Sequence, residues 1–508
     1  MFVRLALLVA CFPSANFALS SEEPAVLHSQ PLPKVPMSAD PVVLHDQRSL
    51  DADLSVVDQE LAKGFDPAVF HQKMSQLDDF VKADAETVNA DNEWLKNRIE
   101  ELSKTPLQQD SEDAMQQNAN TGISVDLFEG DVLLTADQLE AFDLHDPRNA
   151  TRARRQAQKG RYFPSNTWKG MTIPYTFAPG YPSAQIPGIK AAIGFWEHAT
   201  CIRFQEGGAG SSRVRFINGG GCYSNVGRLS TQQDVSIGQG CESVGIVAHE
   251  LGHTIGLWHV QSRYDRDRYL SLNTNNIQQS MMYNFAIAKQ EETDLYNIPY
   301  EFGSNMHYHE ADFGIDSSKP TQIAQRGYEQ YQHSMGSHLP TFYDVQLVNL
   351  YYDCYAKCTT KVSCYNGGLQ DVNNCNKCYC PIGFIGNNCE KMENYIGVTD
   401  APRALNVTIG TRGKSSITAY DTKTYVLQAP AGKRVWVIMD RVEGIRSSGC
   451  SFSGMEVRTG RDPAMAGIKA CLRDTDPKQY VSSGERMVLH FYSRYETNGF
   501  HMTIRAIQ

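Results

Sequence analysis

The sequence predicts an α+β multidomain chain: a mixed-sheet domain carrying a metal-binding helix, then a small cross-linked module, then a β-sandwich. Three observations predict it. The stretch from His249 reads His-Glu-Leu-Gly-His-Thr-Ile-Gly-Leu-Trp-His. Six cysteines crowd residues 358–389. Beyond residue 395, apolar and polar side chains alternate, as in Val435-Trp436-Val437-Ile438-Met439.

At 508 residues the chain exceeds what one core holds. A net charge of −10 argues against a nucleic-acid role, though so mild a balance excludes little. Arg4 precedes an apolar run over residues 5–12, followed by Ser14, Ala15, Ala18 and Ser20. That is the layout of a secretory leader over residues 1–20. The run is far shorter than the roughly 20 residues of a membrane span. We therefore expect a secreted, extracellular protein with no membrane span. Of 13 cysteines, Cys11 lies in the leader and the rest form an even, clustered set. In an exported chain such a set reads as disulfides. Asn149-Ala150-Thr151 and Asn406-Val407-Thr408 are glycosylation sequons.

Residues 21–155 contain no cysteine and read as a pro-segment. Between Asp66 and Lys104, Phe70, Met74, Leu77 and Val81, then Trp94, Leu95 and Ile99, recur at helical spacing. Residues 108–121 are polar and read as a linker. The segment ends at Arg152-Ala153-Arg154-Arg155. Clustered arginines suit the acidic subsites of secretory-pathway convertases, and cleavage is expected after Arg155.

The central domain is expected over residues 156–354. Trp168 and Ile173-Pro174-Tyr175 open a strand-rich region. Ile189, Ala192, Ile193 and Trp196 predict a helix with one buried face. Val214-Arg215-Phe216-Ile217 and Val235-Ser236-Ile237 predict strands. Four cysteines fall here, at 201, 222, 241 and 354. The six in residues 355–390 lie in a segment too small to build a core without cross-links. A β-sandwich over residues 395–508 completes the chain.

The chemistry lies at residue 249 onward. His249 and His253 stand one helical turn apart, so both rings face one side. Two such imidazoles can reach one cation at roughly 2.0–2.1 Å. Gly256 lets the chain leave the helix, which brings His259 round as a third ligand. Three neutral imidazoles leave a zinc ion's charge largely uncompensated, so water beside it becomes acidic. Glu250 stands beside them as the general base.

The motif continues through Val260-Gln261-Ser262-Arg263-Tyr264-Asp265-Arg266-Asp267, and Ser304-Asn305-Met306-His307-Tyr308 follows downstream. Together these resemble the astacin branch of the metzincin metalloproteases. The resemblance implies a zinc endopeptidase with one Zn2+ held by His249, His253 and His259. It implies Met306 as the turn packed beneath the metal. It makes Tyr308 both a further zinc ligand and a catalytic oxyanion donor. Phe128-Glu129-Gly130-Asp131 matches the family's pro-segment motif, which makes Asp131 a zinc ligand of the precursor. The resemblance also implies the pairs Cys201–Cys354 and Cys222–Cys241. The next six cysteines resemble an epidermal-growth-factor-like module, implying Cys358–Cys375, Cys364–Cys378 and Cys380–Cys389. The C-terminal region resembles a CUB domain, most clearly at Phe491-Tyr492-Ser493 and Asn498-Gly499-Phe500, with Cys450 and Cys471 its one pair. This domain order occurs in nematode members of the family. Extracellular protein substrates follow, with cuticle and matrix proteins among the candidates, and a convertase as the activating partner.

Two departures stand out. Val260 occupies the position where the family has a glutamate that tethers the mature N-terminus. Arg494-Tyr495 stands where calcium-binding CUB domains carry an aspartate, so no calcium is expected there. An alternative reading, an extracellular binding or matrix protein with an inert protease domain, requires loss of a histidine, Glu250 or Tyr308. None is lost.

Overall fold

The computed structural model describes residues 67–89, 93–102, 113–134, 157–158, 166–288, 293–410, 420–444, 450–471, 478–494 and 497–508. The leader, Asn149 and the arginines at 152, 154 and 155 lie outside these residues.

Among the described residues, the region read as a pro-segment contributes three helices: α1 (Pro67–Asn89), α2 (Glu93–Leu102) and α3 (Ala114–Thr121). On α1 the spacing of Phe70, Met74, Leu77 and Val81 lines one face, and all four are buried in the main core. The stretch expected to be a linker instead contains α3. The reason is local and tertiary. Asp113 caps the helix by accepting from the Gln116 N–H at 2.6 Å, and Gly122 ends it in the left-handed conformation at φ 80°. Ala114, Met115 and Asn118 are buried, so a polar sequence hides a short apolar contact face.

The central domain holds a five-stranded sheet of β1 (Thr172–Phe177), β2 (Arg203–Glu206), β3 (Arg213–Ile217), β4 (Cys222–Tyr223) and β5 (Gln232–Ile237). The order is β2-β1-β3-β5-β4, parallel except for β4, which closes one edge antiparallel to β5. Helices α4 (Ile186–Ala199) and α5 (Val244–Ile255) pack against each other. The Trp196 indole N–H donates to the Ala248 carbonyl at 3.0 Å, fixing the two helices in register. Every residue of α5 is buried, and Ser243 caps its start. A last helix, α6 (Phe342–Tyr351), leads to Cys354, which is bonded to Cys201 beside α4. Cys222 is bonded to Cys241.

The small module carries Cys358–Cys375, Cys364–Cys378 and Cys380–Cys389 around two short strand pairs. The C-terminal domain is a β-sandwich. One sheet comprises β6 (Ile396–Gly397), β8 (Asp421–Gln428), β13 (Arg486–Ser493), β10 (Ser453–Arg458) and β11 (Ile468–Ala470). The other comprises β7 (Arg403–Ile409), β14 (Asn498–Ile507), β9 (Arg434–Glu443) and β12 (Lys478–Val481). The alternation read at 435–439 is the pleat of β9, with Val435, Val437 and Met439 inside. Cys450 is bonded to Cys471. Asn406 is exposed on β7, and Arg494 is buried after β13. Among the described residues, no helix is long and apolar enough to cross a membrane.

Candidate metal centre

Helix α5 presents His249 and His253 from successive turns, and Gly256 ends it. Gly256 has φ 121°, and its N–H reaches the Gly252 and His253 carbonyls. A side chain there would meet the Tyr351 ring at 2.9 Å, so only glycine allows the turn. The chain reverses and returns His259 to the first two rings. The Nε2 atoms of His249 and His259 lie 3.1 Å apart, and those of His253 and His249 lie 3.2 Å apart.

The opposite ring nitrogens decide what those three atoms are. His249 Nδ1 faces the Asn305 carbonyl at 2.7 Å, and His253 Nδ1 the Leu257 carbonyl at 2.9 Å. His259 Nδ1 faces the Glu129 carboxylate at 2.8 Å. Each partner accepts only, so each Nδ1 carries the proton and each Nε2 presents a lone pair. Three lone pairs converging at this range repel one another unless a cation lies between them. Tetrahedral ligands at roughly 2.0–2.1 Å from zinc stand about 3.3 Å apart, so this donor set fits that ion.

The fourth donor comes from the loop at residues 128–132, ahead of the central domain. Phe128 and Val132 pair across a tight loop, with N–H to carbonyl distances of 3.0 and 2.9 Å. Glu129 and Gly130 at its tip both have positive φ, 51° and 76°. This loop delivers Asp131 to the histidines. Its Oδ2 lies 2.9 Å from His249 Nε2 and 3.3 Å from His259 Nε2; its Oδ1 lies 3.4 Å from His253 Nε2. Asp131 is fully buried. Beside the loop, Ser224 N donates to the Asp131 carbonyl at 3.0 Å and Leu133 N to the Ser224 carbonyl at 2.9 Å. Residues 131–133 thus add a short parallel bridge next to β4.

Glu250 projects from α5 beside this cluster, fully buried, with neither carboxyl oxygen hydrogen-bonded. Burial, reinforced by the Asp131 charge, pushes its carboxyl well above the usual range. Met306 lies beneath the helix: a Cβ on Gly252 would meet its sulfur at 2.7 Å. The turn holding Met306 is pinned by Asp344, which accepts from the Ser304 hydroxyl at 2.5 Å and the Asn305 N–H at 3.0 Å. The Tyr308 hydroxyl donates to the Glu129 carbonyl at 2.7 Å, with the Asn284 carbonyl at 3.3 Å. The hydroxyl is therefore engaged by the Glu129 backbone. Val260 is fully buried, its N–H bound to the Met306 carbonyl at 2.8 Å.

Three participants carry no role in the sequence reading. Glu129 orients His259 from the pro-segment; an acid two residues before Asp131 was the only signal. Asn118 on α3 reads as a polar linker residue, yet its amide donates to the Gly130 and Cys222 carbonyls at 2.9 and 2.6 Å and accepts from the Cys222 N–H at 2.7 Å. Asp113 meets His309 Nδ1 at 2.6 Å, close to Asp312, and pins the start of α3 beyond the metal-turn tyrosine.

Residues 160–353 match the peptidase family described as Astacin. The chain is 34% identical to zinc metalloproteinase nas-31 of Caenorhabditis elegans, over 77% of this chain and 65% of that protein. It is 31% identical to nas-28 of the same organism, over 76% of this chain and 80% of that protein. Among solved structures, a hatching-enzyme zinc protease from medaka, Oryzias latipes, is 29% identical, covering 38% of this chain and 98% of that one with a TM-score of 0.34. The chain spans about two thirds of the length of nas-31. With three imidazole lone pairs around one point and these relatives, the chain belongs to the astacin family of zinc metalloproteinases, and the metal of its centre is zinc.

Proposed function

We propose that this chain is the secreted zymogen of a zinc-dependent endopeptidase that cuts extracellular proteins, cuticle and matrix proteins among them. The convergence of three Nε2 lone pairs, capped by the buried Asp131 carboxylate, carries the reading. Zinc, when bound, supplies the charge that acidifies a water molecule and polarises the scissile carbonyl. His249, His253 and His259 hold it, each oriented through its Nδ1 proton. Glu250 accepts the proton of the attacking water and returns it to the leaving amine nitrogen. Its two unpartnered oxygens leave it free for both transfers. Tyr308, once released from the Glu129 carbonyl, donates its hydroxyl to the developing oxyanion.

Convertase cleavage after Arg155 separates this machinery from residues 21–155. Loss of the segment removes Asp131 from the metal, Glu129 from His259 and the strand beside β4 together. The leader, the disulfides and the sequons at Asn149 and Asn406 fit an exported glycoprotein.

The test is expression of the full chain followed by processing at the arginine cluster. Peptide hydrolysis should appear with processing and vanish on zinc chelation. An uncleaved precursor as active as the processed enzyme would remove the zymogen reading. Hydrolysis that survives chelation would remove the zinc mechanism.

A further inference from the structure

The C-terminal β-sandwich does not hang free of the protease domain. The Ala466 N–H donates to the Glu301 carboxylate at 2.7 Å, and that carboxylate also takes the Thr341 hydroxyl. The Lys469 N–H donates to the Ser334 hydroxyl at 2.9 Å, and its ammonium reaches the Gly336 carbonyl. A Cβ on Gly303 would meet the Ala466 methyl at 2.7 Å. Glu301 and Lys469 are both buried in this contact. Residues 301–303 run directly into the turn bearing Met306, so the sandwich is clasped to the frame of the metal centre.

An aromatic relay continues the contact toward the zinc helix. The His338 ring stacks on Tyr492 at 3.9 Å between centroids and lies 4.4 Å from Tyr420. The His338 carbonyl in turn abuts the first turn of α5, where a Cβ on Gly245 would meet it at 2.3 Å. Tyr420 is half-buried, and its hydroxyl donates to the Ser451 carbonyl at 3.1 Å, which fixes the ring from within the sandwich. It packs against both the protease core and the cluster around the Cys450–Cys471 bond.

A cavity opens beside these rings. Its walls include Ile246, His249, Asn305, Tyr308, His338 and Tyr420. Two of them belong to the metal centre, and one belongs to the C-terminal domain. In the precursor the cavity is also lined by Asp113, Ala114 and Met115 of the pro-segment. These leave on activation, exposing the space to substrate.

We infer that the β-sandwich is a fixed wall of the substrate cavity, and that Tyr420 is a specificity-determining residue contacting the substrate side chain seated beside His249. The inference rests on the endopeptidase reading above. The wall is made of the Tyr420 and His338 rings and the Ile246 side chain. It fits a large side chain able to lie along an aromatic face, and it gives a small one little to touch.

The test uses the processed full chain and peptides differing in one residue at each position flanking the scissile bond, from two before it to two after. Tyr420→Ala widens the cavity and Tyr420→Trp narrows it, whereas Tyr420→Phe keeps the ring. At one position, the ratio of kcat/KM for large over small side chains should change about 5–10-fold, in opposite directions for the Ala and Trp variants, with Phe close to the parent. Trp carries the test if Ala is not secreted. Opposite shifts separate a wall from a structural role, because destabilisation lowers all peptides by one factor. A uniform change, or an unchanged ranking in both variants, overturns the inference. A parent chain with no hydrolysis of any peptide instead overturns the endopeptidase reading.

Discussion

Asn118→Ala isolates how the pro-segment is held. The fully buried amide of Asn118 satisfies three backbone groups: the Gly130 carbonyl on the inhibitory loop, and both the N–H and carbonyl of Cys222 on β4. Alanine leaves all three without that partner inside the docked precursor. A buried unsatisfied group costs about 1–3 kcal/mol. Relaxation around an alanine-sized void recovers part, so about 3–4 kcal/mol is expected overall. Asn118 leaves with the segment, so the cost falls on the docked state alone. At 1.4 kcal/mol per factor of ten, the cleaved segment should be held a few hundred-fold more weakly. The assay is to cleave at the arginine cluster, dilute, and follow the onset of peptide hydrolysis. In the parent, activity should lag behind cleavage while the segment dissociates; in the variant, the two should coincide. Equal lags in both proteins, with equal thermal stability of the uncleaved chains, would refute the assignment of Asn118 as an anchor.

Glu250→Gln should lower kcat by about 10²–10⁴-fold while the zinc content per chain stays unchanged, checked by steady-state kinetics and metal analysis. In the uncleaved chain, Asp131→Ala should let a chelator strip zinc at least about tenfold faster, because a charged ligand is lost. Its hydrolysis should nevertheless stay low, since the segment around Val132 still bridges Ser224. Asp78 on α1 is pushed up to about 7 by burial, though it accepts the Tyr283 N–H at 2.7 Å. A folded-state pKa above the unfolded value of 3.8 means the docked helix holds its proton more tightly. Docking of α1 is then strongest below about pH 4 and weakens as pH rises through about 7. Asp78→Asn should flatten that dependence, read as hydrogen exchange over residues 67–89 between about pH 5 and 8 after correction for intrinsic rates.

The zinc helix was legible because its constraint is local. One turn of α-helix sets the spacing of His249 and His253, and a single glycine sets the return of His259. The strand at 213–217 and the helix at 186–199 were legible for the same reason: pleat and helical period print directly into apolar spacing. The α3 segment was not, because Asn118 carries no apolar signal; its burial is offset by three hydrogen bonds to groups distant in sequence. The docking of the β-sandwich was equally invisible. Gly303 permits it by the close approach of Ala466, and a glycine in sequence does not say what will approach it. Tyr308 shows the limit from another side. Its residue type and place after Met306 suggest a ligand, but the partner of its hydroxyl depends on whether Glu129 is present.

On the zymogen reading proposed above, the segment before Arg155 would silence the centre electrostatically as well as by occupying it. It brings two carboxylates to three neutral imidazoles: Asp131 at their Nε2 atoms and Glu129 at the far side of His259. A divalent cation there is balanced in charge by the two together, so the cluster has little field left to acidify water. Burial, and after it the Asp131 charge, raises the pKa of Glu250, favouring the protonated form that cannot act as a base. Departure of the segment in the proposed activation would reverse both effects at once. The cation regains an uncompensated charge, and Glu250 loses its anionic neighbour and faces that charge instead, which favours its ionised form. Val260 fits this arrangement of charge. A glutamate in its place would leave a carboxylate near His259 after Asp131 and Glu129 have gone, whereas a buried valine leaves the three imidazoles and Glu250 as the groups that set the field.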